Sequence, residues 1–216
     1  MKQAVSLHWD SASRTHVGTV RKLNEDSVLE RPDRGLWAVA DGMGGHAAGD
    51  FASAAVVNAL NSITAPASLG ALVGDVRQQL QAVNHALSEE ARRRGQELIG
   101  STVVVLLLFG AHAVVLWAGD SRLYRYRDGR LERLTEDHSY VEELVRMGKL
   151  KANEAEEHPA ANVVLRAVGI DDSGSTQKAQ AQGGAACCSV GAQVAVHRIF
   201  KDTLVGIGGS QFKGLE

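Results

Sequence analysis

Three acidic sites, each at the end of an apolar run, are where the residue types and spacing of this chain suit chemistry. The first is Asp41 in Val39-Ala-Asp-Gly-Met-Gly-Gly-His-Ala-Ala-Gly-Asp50, where an apolar run delivers a carboxylate into a glycine-rich turn. Gly42, Gly44 and Gly45 let the backbone turn sharply and bring its carbonyls close to a ligand. A carboxylate beside exposed backbone oxygens suits a hard divalent cation, which takes oxygen ligands and keeps several waters. Taken alone, the pattern describes a helix-capping aspartate with turn glycines equally well. The second site lies in Gly18-Thr-Val-Arg-Lys-Leu-Asn-Glu-Asp-Ser27, which sets Arg21 five residues before Asp26, with Glu25 beside it. The third is Asp120 in Ala118-Gly-Asp-Ser-Arg122. Together they form a coherent set: carboxylates hold metal ions, the ions activate water, and an arginine grips phosphate with a bidentate fork. Each also has a bland reading. Arg21 suits a surface cation, Asp26 a turn cap, and Asp120-Ser121-Arg122 a tight turn with a local ion pair. A Walker-type phosphate loop is excluded, because no Gly-Lys-Ser/Thr occurs.

The elements that must position these residues are legible as period and punctuation. Residues 4–9, 27–30 and 36–40 read as strands. An alanine-rich helix follows over 47–60, with apolar positions at Phe51, Ala55 and Val56. Over 75–94, Val76, Leu80, Val83 and Leu87 recur at helical spacing, with Gly95 as a stop. Residues 101–109 form an unbroken apolar run that fits a strand buried on both faces. Strands over 113–118, 122–126 and 130–134 come next, the last two joined by an Arg127-Asp128-Gly129 turn. Residues 140–147 and 152–157 read as short helical segments, the second closed by Pro159.

The bulk numbers exclude several classes. A chain of 216 residues with 44% apolar content can bury a substantial core. A net charge of −2 gives no footprint for nucleic acid or an anionic membrane. The longest apolar run is too short to span a bilayer, and the first residues lack a signal peptide's apolar core. The two cysteines, Cys187 and Cys188, are adjacent, so no disulfide framework and no cysteine-phosphatase nucleophile is expected. A soluble cytoplasmic monomer is the expectation.

The segments GTVRKLNEDS, WAVADGMGGHAAGD, GSTVVVLLL, LWAGDSRLYRYRDGRLERLTEDHS and NVVLRAVG resemble, in that order, the bacterial branch of the type 2C metal-dependent Ser/Thr protein phosphatases. The likeness covers about residues 5–170. It implies an α+β fold, two packed antiparallel sheets flanked by helices in an αββα sandwich. It implies hydrolysis of phosphoserine and phosphothreonine by a metal-activated water, with two Mg²⁺ or Mn²⁺ ions and a third, weaker site. In that scheme Asp41 bridges both metals, the Gly42 carbonyl binds one, and Glu25 and Asp26 hold metal-bound waters. Arg21 holds the substrate phosphate, and Asp120 helps bind the third metal. Residues 137–159 resemble the family's flap, which influences substrate choice. The implied partner is a phosphorylated protein, a target of a bacterial Ser/Thr kinase. Met43 stands where some relatives carry a histidine, and His46 reads as a surface residue.

The likeness stops near Ile170, which divides the chain into a phosphatase-like 1–170 and a divergent 171–216. The family's two later metal aspartates have no counterpart motif there: only Asp171, Asp172 and Asp202 remain, without the required neighbours. One strand is expected over 194–200, with sheet edges left uncovered by the loss of the family's last strands. The alternative to an active enzyme is therefore an impaired phosphatase-like binding module, or a truncated or frameshifted product.

Overall fold

In the computed structural model the described residues are 10–19, 22–44, 48–110 and 112–170, with the strand backbones at 187–189, 193–197 and 204–208. The elements, in chain order, are β1 (Asp10–Arg14), β2 (Asp26–Arg31), β3 (Leu36–Gly44), α1 (Gly49–Asn61), α2 (Leu69–Arg94), β4 (Ile99–Phe109), β5 (His112–Ala118), β6 (Arg122–Arg127), β7 (Arg130–Arg133), α3 (Tyr140–Arg146), β8 (Cys187–Ser189), β9 (Gln193–His197) and β10 (Leu204–Gly208). They form two five-stranded sheets, ordered β2-β3-β4-β5-β8 and β1-β10-β9-β6-β7. Every strand pair is antiparallel.

β4 explains the layering. Its side chains alternate, and both faces are buried. Val103, Val105 and Leu107 pack with the helices, alongside Val56 and Leu60 of α1 and Leu72, Val76 and Leu80 of α2. Val104, Leu106 and Leu108 turn the other way and meet Trp37, Val39, Val115 and Leu123 between the sheets. An unbroken apolar run is thus what a central strand between a helical layer and a second sheet requires. The main helix contacts fall on the first sheet, α1 on β2, β3 and β4 and α2 on β4. Among the described residues, no helix is long and apolar enough to cross a membrane.

Several boundaries differ from the sequence reading. α2 begins at Leu69, six residues before the expected start, because Ser68 caps it by accepting from the Ala71 amide. Gly70 and Gly74 mask that first turn and a half, since glycine disfavours a helix interior. A Cβ at Gly74 would meet nothing within 4 Å, so Gly74→Ala is expected to raise stability by about 0.5–1 kcal/mol in chemical denaturation. In α1 the buried face runs through Ala52, Val56 and Leu60. Phe51 is not on it; the ring is 42% exposed and lies under the Arg94 guanidinium, 4.9 Å from its centroid. The Asp128-Gly129 turn is as read, with both residues at positive φ, the form that matches hairpin twist.

The tail departs most from expectation. Three strands occur where one was expected, and they pair with the edges. β8 extends the first sheet beyond β5, while β9 lies between β6 and β10, and β10 pairs with β1. Short runs such as Leu204–Gly208 are rich in glycine, so their β-pattern is too weak to stand out in the sequence. The strand expected over 4–9 lies outside the described residues.

Candidate metal and phosphate site

The acidic residues converge because of strand register. β2 and β3 are antiparallel neighbours, and Asp26 stands opposite Asp41 at the ends where the chain enters one and leaves the other. Both are buried. The ladder continues one step outward, where the Gly42 amide donates to the Glu25 carbonyl at 2.8 Å. On its other side β3 pairs with β4, and Asp41 faces Thr102. The Asp41 amide donates to Thr102 Oγ1 at 3.3 Å, and that hydroxyl also bonds Ser121 Oγ at 2.8 Å. Ser121 follows Asp120, so a buried pair of hydroxyls links the turns that carry Asp41 and Asp120.

A cavity of about 870 Å³ opens over these ends. Glu25, Asp41, Gly42, Thr102 and Asp120 line it, together with Asp137, Glu142 and Glu156 from the segment that follows β7. Asp26 supports the site from beside Asp41 and is not a lining residue. Arg21, His46, Asp171, Asp172 and Asp202 lie outside the described residues. Met43 lines the cavity, where a thioether offers no proton for acid catalysis.

The donor set fits a hard cation in chemistry. Gly42 and Gly49 pass so closely that a Cβ on Gly42 would overlap the Gly49 carbonyl. A Cβ on Gly49 would overlap Glu25 Oε1 and lie 2.9 Å from the Gly42 carbonyl oxygen. A carboxylate oxygen and a backbone carbonyl oxygen thus converge on one small volume that only glycine leaves open. Yet among the described residues, no group of three His, Cys, Asp or Glu side chains is placed to hold a metal ion. The carboxylates present suit divalent ions in kind and are spread more widely than a closed cage.

Part of the cavity's lining comes from the segment read above as flap-like, and the contacts that hold its root are what the sequence concealed. Residues 137–164 return to the site through an isolated bridge between Ser139 and Val164, both of which line it. Ser139 caps α3 by accepting from the Glu142 amide. The root of the segment is held by Arg122, whose Nε donates to both carboxylate oxygens of Asp137 at 2.9 Å. That half-buried fork would hold its geometry better than an exposed pair. Next to it, His138 Nδ1 accepts from the Gly119 amide at 3.2 Å. Burial and the charge of Arg166 hold the His138 imidazole below its ordinary value of 6.5, against the opposing pull of Asp137 and Glu136. The neutral ring favoured in this way is the form able to accept that bond. The available signal was the stretch Thr135-Glu-Asp-His-Ser139, which carries a polar side chain at every position and follows a short strand.

Residues 14–172 match the protein phosphatase 2C family. The Serine/threonine protein phosphatase PstP of Mycobacterium tuberculosis is 36% identical over 165 residues, covering 76% of this chain and 32% of that protein. The Serine/threonine phosphatase stp of Listeria welshimeri is 37% identical over 169 residues, covering 73% of this chain and 66% of the relative. The chain therefore spans about a third of the mycobacterial relative and just under two thirds of the Listeria one. Among solved structures, PppA, a key regulatory component of T6SS in Pseudomonas aeruginosa, superposes with a TM-score of 0.76 at 47% identity, covering 88% of this chain and 76% of that one. The catalytic domain of PstP in complex with two manganese ions superposes with a TM-score of 0.72 at 29% identity, covering 88% and 77%.

Proposed function

This chain belongs to the protein phosphatase 2C family, and from that premise we propose that it is a metal-dependent phosphatase acting on phosphoserine and phosphothreonine in proteins. The observation that carries the proposal is the placement of Glu25, Asp41, Gly42 and Asp120 around one cavity at the strand ends. Asp41 and the Gly42 carbonyl are assigned to hold Mg²⁺ or Mn²⁺, with Glu25 and Asp26 orienting water nearby and Asp120 serving a further, weaker cation site. The two manganese ions of the PstP structure support that assignment. Bound divalent cations supply Lewis acidity, lowering the pKa of a coordinated water and offsetting phosphoryl charge.

The chain's own residues do the rest. Asp41 and Asp26 concentrate negative charge at a buried strand end, which repels a bare phosphate and so makes its binding conditional on cations. Arg21 is assigned to grip the phosphate oxygens with a bidentate fork. The Thr102–Ser121 hydroxyl pair fixes the spacing of the two acidic turns, which keeps the donors preorganised. The wall formed by residues 137–164 narrows the approach, so the flanking peptide is selected there. The substrate class is a phosphoprotein, the target of a bacterial Ser/Thr kinase, and the setting is the cytoplasm with the protein as a monomer. The likeness to PppA supports a regulatory role of the same kind.

One observation favours a second reading, a phosphoprotein-binding module without turnover: the lack of a three-carboxylate cage among the described residues. A Mn²⁺ titration of phosphopeptide hydrolysis separates the two. The phosphatase reading expects turnover that rises with Mn²⁺ and stops in EDTA. Peptide binding without turnover at any Mn²⁺ level would leave the module reading, and hydrolysis unaffected by EDTA would end the metal-dependent one.

A further inference from the structure

His138 is not among the residues that line the cavity, yet it bonds at three atoms to elements that shape it. Its Nδ1 accepts from the Gly119 amide at 3.2 Å, and its own amide donates to the Gly119 carbonyl at 2.9 Å. Its carbonyl accepts from the Leu165 amide at 2.7 Å, next to Val164, which lines the cavity. The ring lies parallel to Trp117, with centroids 6.0 Å apart and 8° between planes. The Trp117 indole in turn donates to the Glu136 carbonyl at 2.8 Å. The stretches 117–119 and 136–138 are thereby fastened by three hydrogen bonds and one stacked pair.

Gly119 is held from the opposite side as well. Its φ is +113°, and a Cβ there would lie 2.6 Å from the Thr102 side chain. The Gly119–Asp120 turn is therefore pressed between Thr102 and His138. Only glycine fits that gap, and glycine supplies no side chain to fix its own conformation. The His138 amide holds the Gly119 carbonyl, and the imidazole holds the Gly119 amide.

We propose that His138 is a positioning residue for Asp120: the Nδ1 lone pair locks the Gly119 amide, so the place of the Asp120 carboxylate follows the root of the 137–159 segment. The inference rests on the reading of Asp120 as a cation-site residue. It gives the segment a second role besides selecting the peptide, because any displacement of its root moves the Gly119 turn. Cation binding at Asp120 and the position of the wall become coupled through the Gly119–His138 contacts, of which the Nδ1 bond is the one that the side chain supplies.

The test compares the full chain with His138→Asn and His138→Leu. The Asn side-chain oxygen sits near the place of Nδ1 and can accept the same bond, whereas Leu keeps bulk and accepts nothing. Amide exchange at Gly119, read by NMR in EDTA, is expected to quicken by about tenfold or more in His138→Leu and to stay near wild type in His138→Asn. Protection across Val103–Val105 should be unchanged and serves as the folding control. In calorimetric titration with Mn²⁺ alone, the weaker binding step is expected to weaken in the Leu variant and recover in the Asn variant. Equal Gly119 exchange in all three chains, or equal loss in both variants, overturns the proposal. Should His138→Leu fail to fold, His138→Asn decides alone: a folded variant with an unprotected Gly119 overturns it, and a protected one upholds it. A wild-type chain that binds Mn²⁺ but hydrolyses nothing would defeat the phosphatase reading and leave this measurement intact.

Discussion

Asp41→Asn is expected to lower Mn²⁺-dependent phosphopeptide hydrolysis by about a thousandfold or more while leaving the fold at least as stable in EDTA. The two halves of this result have one cause. Asp41 and Asp26 face each other across β2 and β3, and both are buried. Like charges directly opposite on adjacent strands destabilise a sheet. Taking one charge away without changing the side chain's shape relieves that repulsion in the metal-free protein. A bound cation reverses the balance, because it interacts with the folded site and not with the unfolded chain, and so adds stability by mass action. Wild type should therefore melt at a higher temperature in Mn²⁺ than in EDTA, and the Asn variant should show little difference. Melting curves in the two conditions, set beside initial rates, check this. Hydrolysis within about tenfold of wild type would remove Asp41 from the chemistry. A large drop in the EDTA melting temperature would instead make it a structural aspartate.

What was legible in the sequence follows from which signals are local. The run at 101–109 could be read as a doubly buried strand because β4 is covered on both faces by helices and the second sheet. The stripe through Val76, Leu80, Val83 and Leu87 could be read because α2 presents one face to that sheet. In α1 helical spacing picks out Phe51 as apolar but does not say which of two adjacent apolar positions faces inward; the smaller Ala52 is buried and the Phe51 ring lies outside under Arg94. Of the tail strands, β9 overlaps the one expected over 194–200, whereas β8 and β10 are short and depend on distant partners, β5 and β1, for their pairing. In the site, glycine-flanked acids announced themselves, since each occupies a strand end where few other residue types fit. The Arg122–Asp137 fork and the His138–Gly119 bond did not, because their partners are 15 and 19 residues apart. No short-range pattern links residues at that separation; the β6–β7 hairpin folds the chain back and brings them together.

Gly42→Ala should have the second large effect, and Gly49→Ala separates its causes. At Gly42 the added carbon would meet the backbone carbonyl of Gly49, which cannot rotate away as a side chain can. The start of α1 must move off the end of β3, and α1 also packs on β2 and β4. A loss of about 2–4 kcal/mol in denaturant unfolding is expected, together with a fall in hydrolysis of about a hundredfold. At Gly49 the nearest obstacle is different: the added carbon meets first the Glu25 carboxylate, which can swing aside, and then the Gly42 carbonyl oxygen at 2.9 Å, a much milder backbone overlap than that at Gly42. Its stability cost should be smaller, about 1 kcal/mol, because strain that a flexible side chain can relieve is weaker than strain held in the backbone. Activity should still fall strongly, since the displaced oxygen is one of the two that converge on the proposed cation position. The ratio of the two losses therefore carries the information. If Gly49→Ala loses activity while keeping most of its stability, the gap between β3 and α1 is shaped for oxygen donors. If activity follows stability in both variants, the glycines serve close packing alone, and the cation position must be sought elsewhere along the cavity.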